Sequence, residues 1–319
     1  MTKQENEIML EQIKLFKEQT EYTLEVKEGI PYYYGSISCI SDELPDNLVI
    51  NGNLFCHVRS TKLPKGLKVT GRLDAAGTKI TEIPDDCEFS YLDISNTRIQ
   101  KLRDNLVLEA LIAYNSSLID LPNGLKVKGD LNISNTSITE IPDDCEFDGL
   151  YMFKTKITKL HDNMELNYLN VGGSPLTELP KNLVIYDFLN IENTRIKCMS
   201  ENYVTPLICC NFELNDERYE KNKYGTYQLK DEIVHISHPS GREFLNVDGI
   251  LSEVIEKKEN VYHVRTGVND PISYIVTDGN NHWAYGDTLD EAKQDLIIKI
   301  NERDKSDHDK LTLDSDFPF

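Results

Sequence analysis

The chain has 319 residues, 39% of them hydrophobic, which is enough to bury a substantial core and fits two unequal domains. A formal charge of −20 repels phosphates and anionic membrane surfaces, so direct nucleic-acid or lipid binding is disfavoured, and a basic, nucleic-acid-handling protein is the better electrostatic match. No run approaches the roughly 18 to 20 apolar residues that cross a bilayer, the opening MTKQENEIMLEQIKLF is too charged for a secretory leader, and seven cysteines without a CxxC pair fit reduced thiols, so the expected location is the cytoplasm.

Residues 3–19 read as an amphipathic helix with Met9, Ile13 and Phe16 on one stripe. Its polar face is not enriched in Lys and Arg, so the expectation is a cap over an exposed core rather than a membrane-surface helix.

A repeat follows. Leu-Pro or its variants stand at Leu44, Leu63, Ile83, Leu102, Leu121, Ile141, Leu160 and Leu179, with gaps of 19, 20, 19, 19, 20, 19 and 19. Above this lies a longer period: LPKGLKV at Leu63 returns as LPNGLKV at Leu121, and IPDDCEF at Ile83 returns verbatim at Ile141, each 58 positions on. Within a unit the apolar template is clearest in Leu92-x-Ile94-x-x-Thr97-x-Ile99-x-x-Leu102. The first pair alternates with period two, a strand signal, and the rest lies on a turn-rich return with no room for a full helix.

LxLxxTxIxxLP resembles the leucine-rich repeat pattern, with a hydroxyl where Asn or Cys is usual: Thr78, Thr97, Ser116, Thr136, Thr155, Ser174 and Thr194. The resemblance runs from Tyr34 to Cys198, and the short LP-containing coil is similar to bacterial and phage leucine-rich repeat proteins, including the repeat part of secreted bacterial ubiquitin ligases. It implies an α+β protein: a curved parallel sheet on a concave face, short convex returns, and hydroxyls that bond the backbone of neighbouring coils. The first unit departs from the pattern, placing Arg59 and Thr61 where Thr and Ile are expected.

After Cys198 the repeat stops. Ile233–Ser237, Glu243–Val247, Val261–Arg265 and Ser273–Thr277 read as strands, and Thr288-Leu-Asp-Glu291 is a capping box before a helix carrying Leu289, Ala292, Leu296, Ile297 and Ile300. The expected division is a helical cap with a lead-in strand at 1–33, a solenoid at 34–199, a small strand-helix domain at 200–303 and a mobile acidic tail at 304–319. The stretch from Tyr274 through Leu296 resembles a hairpin-plus-helix module appended to phage and prophage leucine-rich repeat proteins, which implies a phage-encoded inhibitor of a host defence complex.

Strand alternation sends one column of side chains outward through Phe55, Asp74, Asp93, Ile112, Asn132, Tyr151, Asn170 and Asn190. A second runs through His57, Ala76, Ser95, Tyr114, Ser134, Phe153, Gly172 and Glu192, and a third includes Tyr91, Tyr168 and Phe188. Large side chains therefore concentrate at Tyr91, Ile112, Tyr114, Tyr151, Phe153 and Tyr168, the candidate partner-binding residues. Strand spacing gives this face an area on the order of 500 Å². That falls short of the roughly 800 Å² per partner of a standard interface, so a partner is expected to touch the loops or the C-terminal domain as well. Burial of the patch by that domain, or by a second copy of the chain in a homodimer, is the alternative.

Cys87 and Cys145 share a slot that elsewhere holds Leu48, Leu67, Leu106, Leu125, Met164 and Leu183, so they read as small buried hydrophobes. Cys209 and Cys210 lack a thiolate-stabilising motif, and no Cys-x-Asp, the ubiquitin-ligase signature, follows the repeats. His235, His238, His263 and His282 do not have metal-ligand spacing, and Asp85–Asp86 and Asp143–Asp144 are turn chemistry. The expected function is therefore protein binding without catalysis, metal or cofactor. A bacterial effector or adaptor, and an enzyme sited in the C-terminal domain, are the competing readings.

Overall fold

The computed structural model describes residues 3–39, 44–197, 203–211, 214, 216–230, 234–238 and 240–303. The acidic tail expected at 304–319 lies outside them. The chain divides into two compact units, Met1–Leu160 with Val171–Thr177, and His161–Asn170 with Glu178–Phe319.

In the first unit the chain coils with a step of about 19 residues, and successive strands pair in parallel. One buried column runs through Ile37, Leu54, Leu73, Leu92, Leu111, Leu131 and Leu150, each opposite the next and each fully buried. At roughly 1.5 to 3 kcal/mol per buried side chain, such columns are the main cohesive force of a coil too short to form a core alone. The ladder starts earlier than the sequence pattern does, because Ile30–Tyr34 already pairs in parallel with Val49–Asn51. Helix α1, Lys3–Gln19, buries Met9 and Phe16 and half-buries Ile13. Phe16 stacks on Tyr22, whose ring meets Tyr33 edge-on, so the helix closes the open end of the ladder.

The irregular spacing of 19 and 20 has a local cause. Val69 faces Phe89, 20 residues on, whereas Arg72 faces Tyr91, 19 on; the extra residue of the long coil is absorbed inside the strand Lys68–Asp74. The strand Lys126–Asn132 repeats this against Glu146–Tyr151. Gly71 and Gly129 occupy the tight place: a Cβ on Gly71 would strike Asn53 Oδ1 and lie 2.9 Å from the Gly52 carbonyl oxygen, and one on Gly129 would lie 2.9 Å from that of Glu109.

Each coil also turns through left-handed backbone just before its hydroxyl residue. Gly77, Asn96, Asn115, Asn135, Lys154 and Gly173 all have φ between 54° and 66°. Asn and Gly tolerate this conformation best. The hydroxyls behind them are buried but do not bond neighbouring coils, as the repeat resemblance implied. Thr78, Thr97 and Thr136 donate to the carbonyls of Ala75, Ile94 and Ile133, three residues back in their own coil, at 2.6 to 2.7 Å. Thr155 Oγ1 and Ser174 Oγ are buried without any partner. Coil-to-coil bonding here is carried by the backbone, as in Asn96 N to Tyr114 O and Asn115 N to Ser134 O. In the first unit of the repeat the buried hydroxyl is Ser60, one place beyond Arg59, which explains the departure seen in the sequence.

The outer turns vary with a period of three coils. Asp46 and Asp104 accept from the backbone N–H of Lys65 and Asn123 in the following coil. The next turns need Gly66 and Gly124, whose Cβ would collide with Asn47 and Asn105. The third turns are the Asp-Asp pairs, and Asp144 accepts from Gly124 N.

The second unit carries three stacked parallel strand levels, whose buried column Leu169, Leu189 and Ile208 runs past Cys198, where the sequence repeat ends. Tyr227–Leu229 then closes that ladder in antiparallel fashion. Beyond it lies a six-stranded antiparallel sheet and helix α2, Leu289–Arg303. Three of the strands expected from the sequence form, and the fourth spans His235–Ser237. Ile250–Lys258 has no clear sequence signal, because four of the nine residues of ILSEVIEKK are charged, whereas Trp283–Gly286 pairs antiparallel with Ser273–Thr277 in the hairpin expected from Tyr274 onward. The capping box closes reciprocally, Thr288 N to Glu291 Oε2 at 3.0 Å and Glu291 N to Thr288 Oγ1 at 3.3 Å. Ala292 and Leu296 then pack on Val276 and Ala284.

Candidate functional site

The solvent side of the first unit's ladder carries five of the six residues singled out by sequence; Tyr168 belongs to the second unit. Pairing places them in order. Asn132 stands opposite Ile112 on one side and Tyr151 on the other. One step along, Asn115 N bonds Ser134 O and Asn135 N bonds Phe153 O, which puts the Ser134 coil between the coils of Tyr114 and Phe153. The large residues therefore form two walls, Ile112 with Tyr114 and Tyr151 with Phe153, separated by a floor of Asn132 and Ser134. Two strand spacings set the backbones of the two walls about 10 Å apart.

Tyr114 is the most open of these side chains at 42% exposure, while Ile112, Tyr151 and Phe153 are half-buried. Ser134 is buried, and its hydroxyl accepts from Phe153 N, which fixes the floor to one wall. Lys154 lies 4.9 Å from the Phe153 ring centre and adds a cation at that rim.

Tyr91 is differently employed. The Arg72 guanidinium sits 4.9 Å from its ring centre and also pairs with Asp74 at 3.0 Å and Asp93 at 2.5 Å. Asp93, expected to face solvent, is buried under that arginine and accepts from Ser95 N. Burial, above all, pushes the Tyr91 hydroxyl above its ordinary value. Arg72 stands 19 residues before Tyr91 and faces it in the regular register, but a lone arginine in a column read for its large apolar side chains carries no signal of its own.

In the second unit Tyr168 is half-buried, its ring 5.8 Å from that of Phe188. That unit's main polar feature had no sequence signal. Glu165, on the strand Glu165–Asn170, receives Arg242 through two bonds of 2.9 Å and Arg265 through one of 2.9 Å. Glu253, in the unread strand, pairs with the same two arginines at 2.5 Å each. Tyr186 donates to Glu165 at 2.7 Å. Burial works against the charge on Glu253, but the hydrogen bonds from Arg242 and Arg265 outweigh it and hold the carboxyl below its ordinary range. The residues converge from separate segments of sequence, so no motif announces them.

The thiols of Cys87 and Cys145 are pushed up to about 11, chiefly by burial, and that of Cys209 likewise. Each imidazole has its own neighbour: His235 meets Trp283, His238 meets Ser240, His263 meets Glu256 and His282 meets Asp278. Among the described residues no group of three His, Cys, Asp or Glu side chains is placed to hold a metal ion, and no helix is long and apolar enough to cross a membrane. Comparison with known proteins gives no match to a family model, a curated protein or a solved structure.

Proposed function

We propose that the chain is a non-enzymatic protein-binding module whose partner docks on the slot formed by Ile112, Tyr114, Tyr151 and Phe153. The observation that carries this reading is Tyr114, a large ring 42% exposed on the sheet face beside a polar floor of the half-buried Asn132 and the buried Ser134. Rigid aromatic walls on a hydrogen-bonded ladder lose little conformational freedom on binding, and an apolar side chain of a partner fits between them. Tyr91 forms the edge of the surface, and Tyr168 holds the equivalent position in the sequence repeat of the second unit. The net charge of −20 favours a basic partner, and encounter slows as salt rises. The coil resembles leucine-rich repeats, and with the hairpin-plus-helix resemblance this supports a phage or prophage inhibitor of a host defence complex acting in the bacterial cytoplasm.

The test replaces Tyr114 and Phe153 together by alanine in the full chain. Affinity capture from infected host cells is expected to lose the partner while the melting temperature stays nearly unchanged. A large fall in melting temperature would show that the patch is core and defeat the proposal.

A further inference from the structure

The two copies of the 58-residue block differ at one place on the solvent face. The positions of Arg72, Asp74, Tyr91 and Asp93 in the first copy are held by Asp130, Asn132, Gly149 and Tyr151 in the second. The backbone pairing is the same in both: Arg72 faces Tyr91 as Asp130 faces Gly149, and Asp74 faces Asp93 as Asn132 faces Tyr151. In the first copy the constellation is closed on itself, because the arginine lies against the Tyr91 ring and pairs with both carboxylates. In the second copy a carboxylate takes the place of the arginine, and no cation answers it. Asp130 is exposed and makes no hydrogen bond or ion pair among the described residues; desolvation, with no donor to offset it, holds its carboxyl above the ordinary value. The lysines of its own strand are already engaged, Lys126 with Glu146 and Lys128 with Glu109.

Alternation puts Asp130 on the same side as Asn132 and Ser134, at one end of the slot floor and about 7 Å from Asn132 along the strand. The adjoining strands present only Gly149 and Ala110 at its level, the latter one step before Leu111, which faces Leu131. Asn132 gives its side-chain carbonyl to Ser134 N, and Ser134 gives its hydroxyl oxygen to Phe153 N, so the amide hydrogens of one and the hydroxyl hydrogen of the other are left to meet an acceptor. From one end the floor therefore reads anion, then donors. A basic residue of a docked chain matches that order, its charged tip on the carboxylate and its main-chain carbonyl on the donors. Guanidinium suits the place better than ammonium, because it forks onto a carboxylate and lies flat on an aromatic ring, as Arg72 does on Tyr91.

We propose that the partner inserts an arginine side chain into the slot, its guanidinium on Asp130 beside the Tyr151 ring and its main-chain carbonyl on Asn132 and Ser134. This rests on the slot being the docking surface. Amide chemical-shift titration of the full isotope-labelled chain at low salt tests it, with blocked Gly-Gly-X-Gly-Gly peptides carrying arginine, citrulline or lysine at X. Citrulline keeps the shape of arginine and removes its charge. Saturable shifts at Asn132, Tyr151 and Phe153 are expected with the arginine peptide, at an affinity about tenfold or more above that of the citrulline peptide, and Asp130→Asn is expected to bring arginine down to the citrulline level. The proposal is overturned by equal binding of arginine and citrulline, by tighter binding of lysine than of arginine, by the absence of shifts with every peptide, or by wild-type affinity in the folded Asp130→Asn chain. The first three results need only the wild-type chain. If arginine and citrulline bind equally and the Tyr114→Ala, Phe153→Ala variant loses both, the slot stands as a docking surface and the arginine alone is wrong; if that variant keeps both, the slot fails as well.

Discussion

Replacing Glu253 by glutamine keeps the side chain's shape and removes one of the two carboxylates that face Arg242 and Arg265. The cluster then changes from two anions and two cations to one anion and two cations. Breaking a buried pair by removing one partner costs about 3 to 5 kcal/mol. The Glu253 side chain is only 11% exposed, but those of its arginine partners are 26% and 29% exposed, and water at that rim reduces the expected loss to about 2 to 3 kcal/mol. Urea unfolding followed by tryptophan fluorescence measures it cleanly, because the chain has one tryptophan, Trp283, packed 5.5 Å from Tyr262 in the same unit. Glu256→Gln is the control: its carboxylate is 47% exposed and pairs at the surface with Lys258 and His263, so its loss is expected below about 0.5 kcal/mol. The sign with pH follows from the depressed Glu253 value. Its contribution is present above the unfolded carboxylate range and disappears as pH falls through the lower folded value. The gap between wild type and Glu253→Gln is therefore expected to be constant above about pH 5 and to close in more acid solution. A gap under about 0.5 kcal/mol at pH 7, or one that persists unchanged at pH 3, would refute the ionic account.

The other expectations concern the first unit. Asn115→Ala forces a Cβ-bearing residue without a polar side chain into φ 55° and deletes the bond from Asn115 Nδ2 to Asn96 Oδ1, so a loss of about 1 to 2 kcal/mol is expected in denaturant unfolding, with a smaller loss in Asn115→Gly, which gives up the same bond but tolerates the conformation. Equal losses in the two variants would show that backbone conformation is not the cause. Gly71→Ala drives a Cβ against the Gly52 carbonyl and is expected to cost about 1 to 3 kcal/mol, while Gly77→Ala, with no atom within 4 Å, suffers only from its φ of 66°. With the thiols of the buried Cys87 and the half-buried Cys145, where full burial was expected, pushed up to about 11, alkylation by iodoacetamide at pH 8 is expected to run roughly a hundredfold slower than for an ordinary cysteine in the folded chain; rapid labelling seen by peptide mass spectrometry would contradict these raised values.

The coil step, the buried leucine column, the cap helix and the capping box of α2 were legible because each rests on short-range spacing of apolar or capping residues. The outward patch was legible as a set of residues, since strand alternation is local. Its division into two walls was not, because that depends on which coil intervenes, and Asn132 and Ser134 are unremarkable until pairing puts them between Tyr114 and Phe153. The hydroxyl ladder was located correctly and given the wrong partners. The repeat pattern shows where Thr97 recurs, but only the backbone path shows that its nearest acceptor is Ile94 O in its own turn. The left-handed positions at Asn96, Asn115 and Asn135 stand in the sequence as Asn-Thr and Asn-Ser pairs, which by themselves do not fix the sign of φ. The ionic cluster brings together Glu165, Glu253 and the two arginines across 100 residues of sequence, and charged residues in an acidic chain give no sign of which ones will be buried together.

The three-coil cycle of outer turns bears on how such a chain can grow. A 58-residue segment carries one Asp-Asn corner, one glycine corner and one Asp-Asp corner, together with a single bulged strand, so its last turn presents to the next segment the same surface that its first turn was built to receive. Splicing in a further copy at that period preserves these corner contacts, whereas a single added coil needs a corner that can stand against Asn, as Gly66 and Gly124 do and as Asn182 does by donating to Asn163. Recombination between the copies in whole blocks therefore keeps the corners matched and lengthens the parallel sheet by three strands at a step.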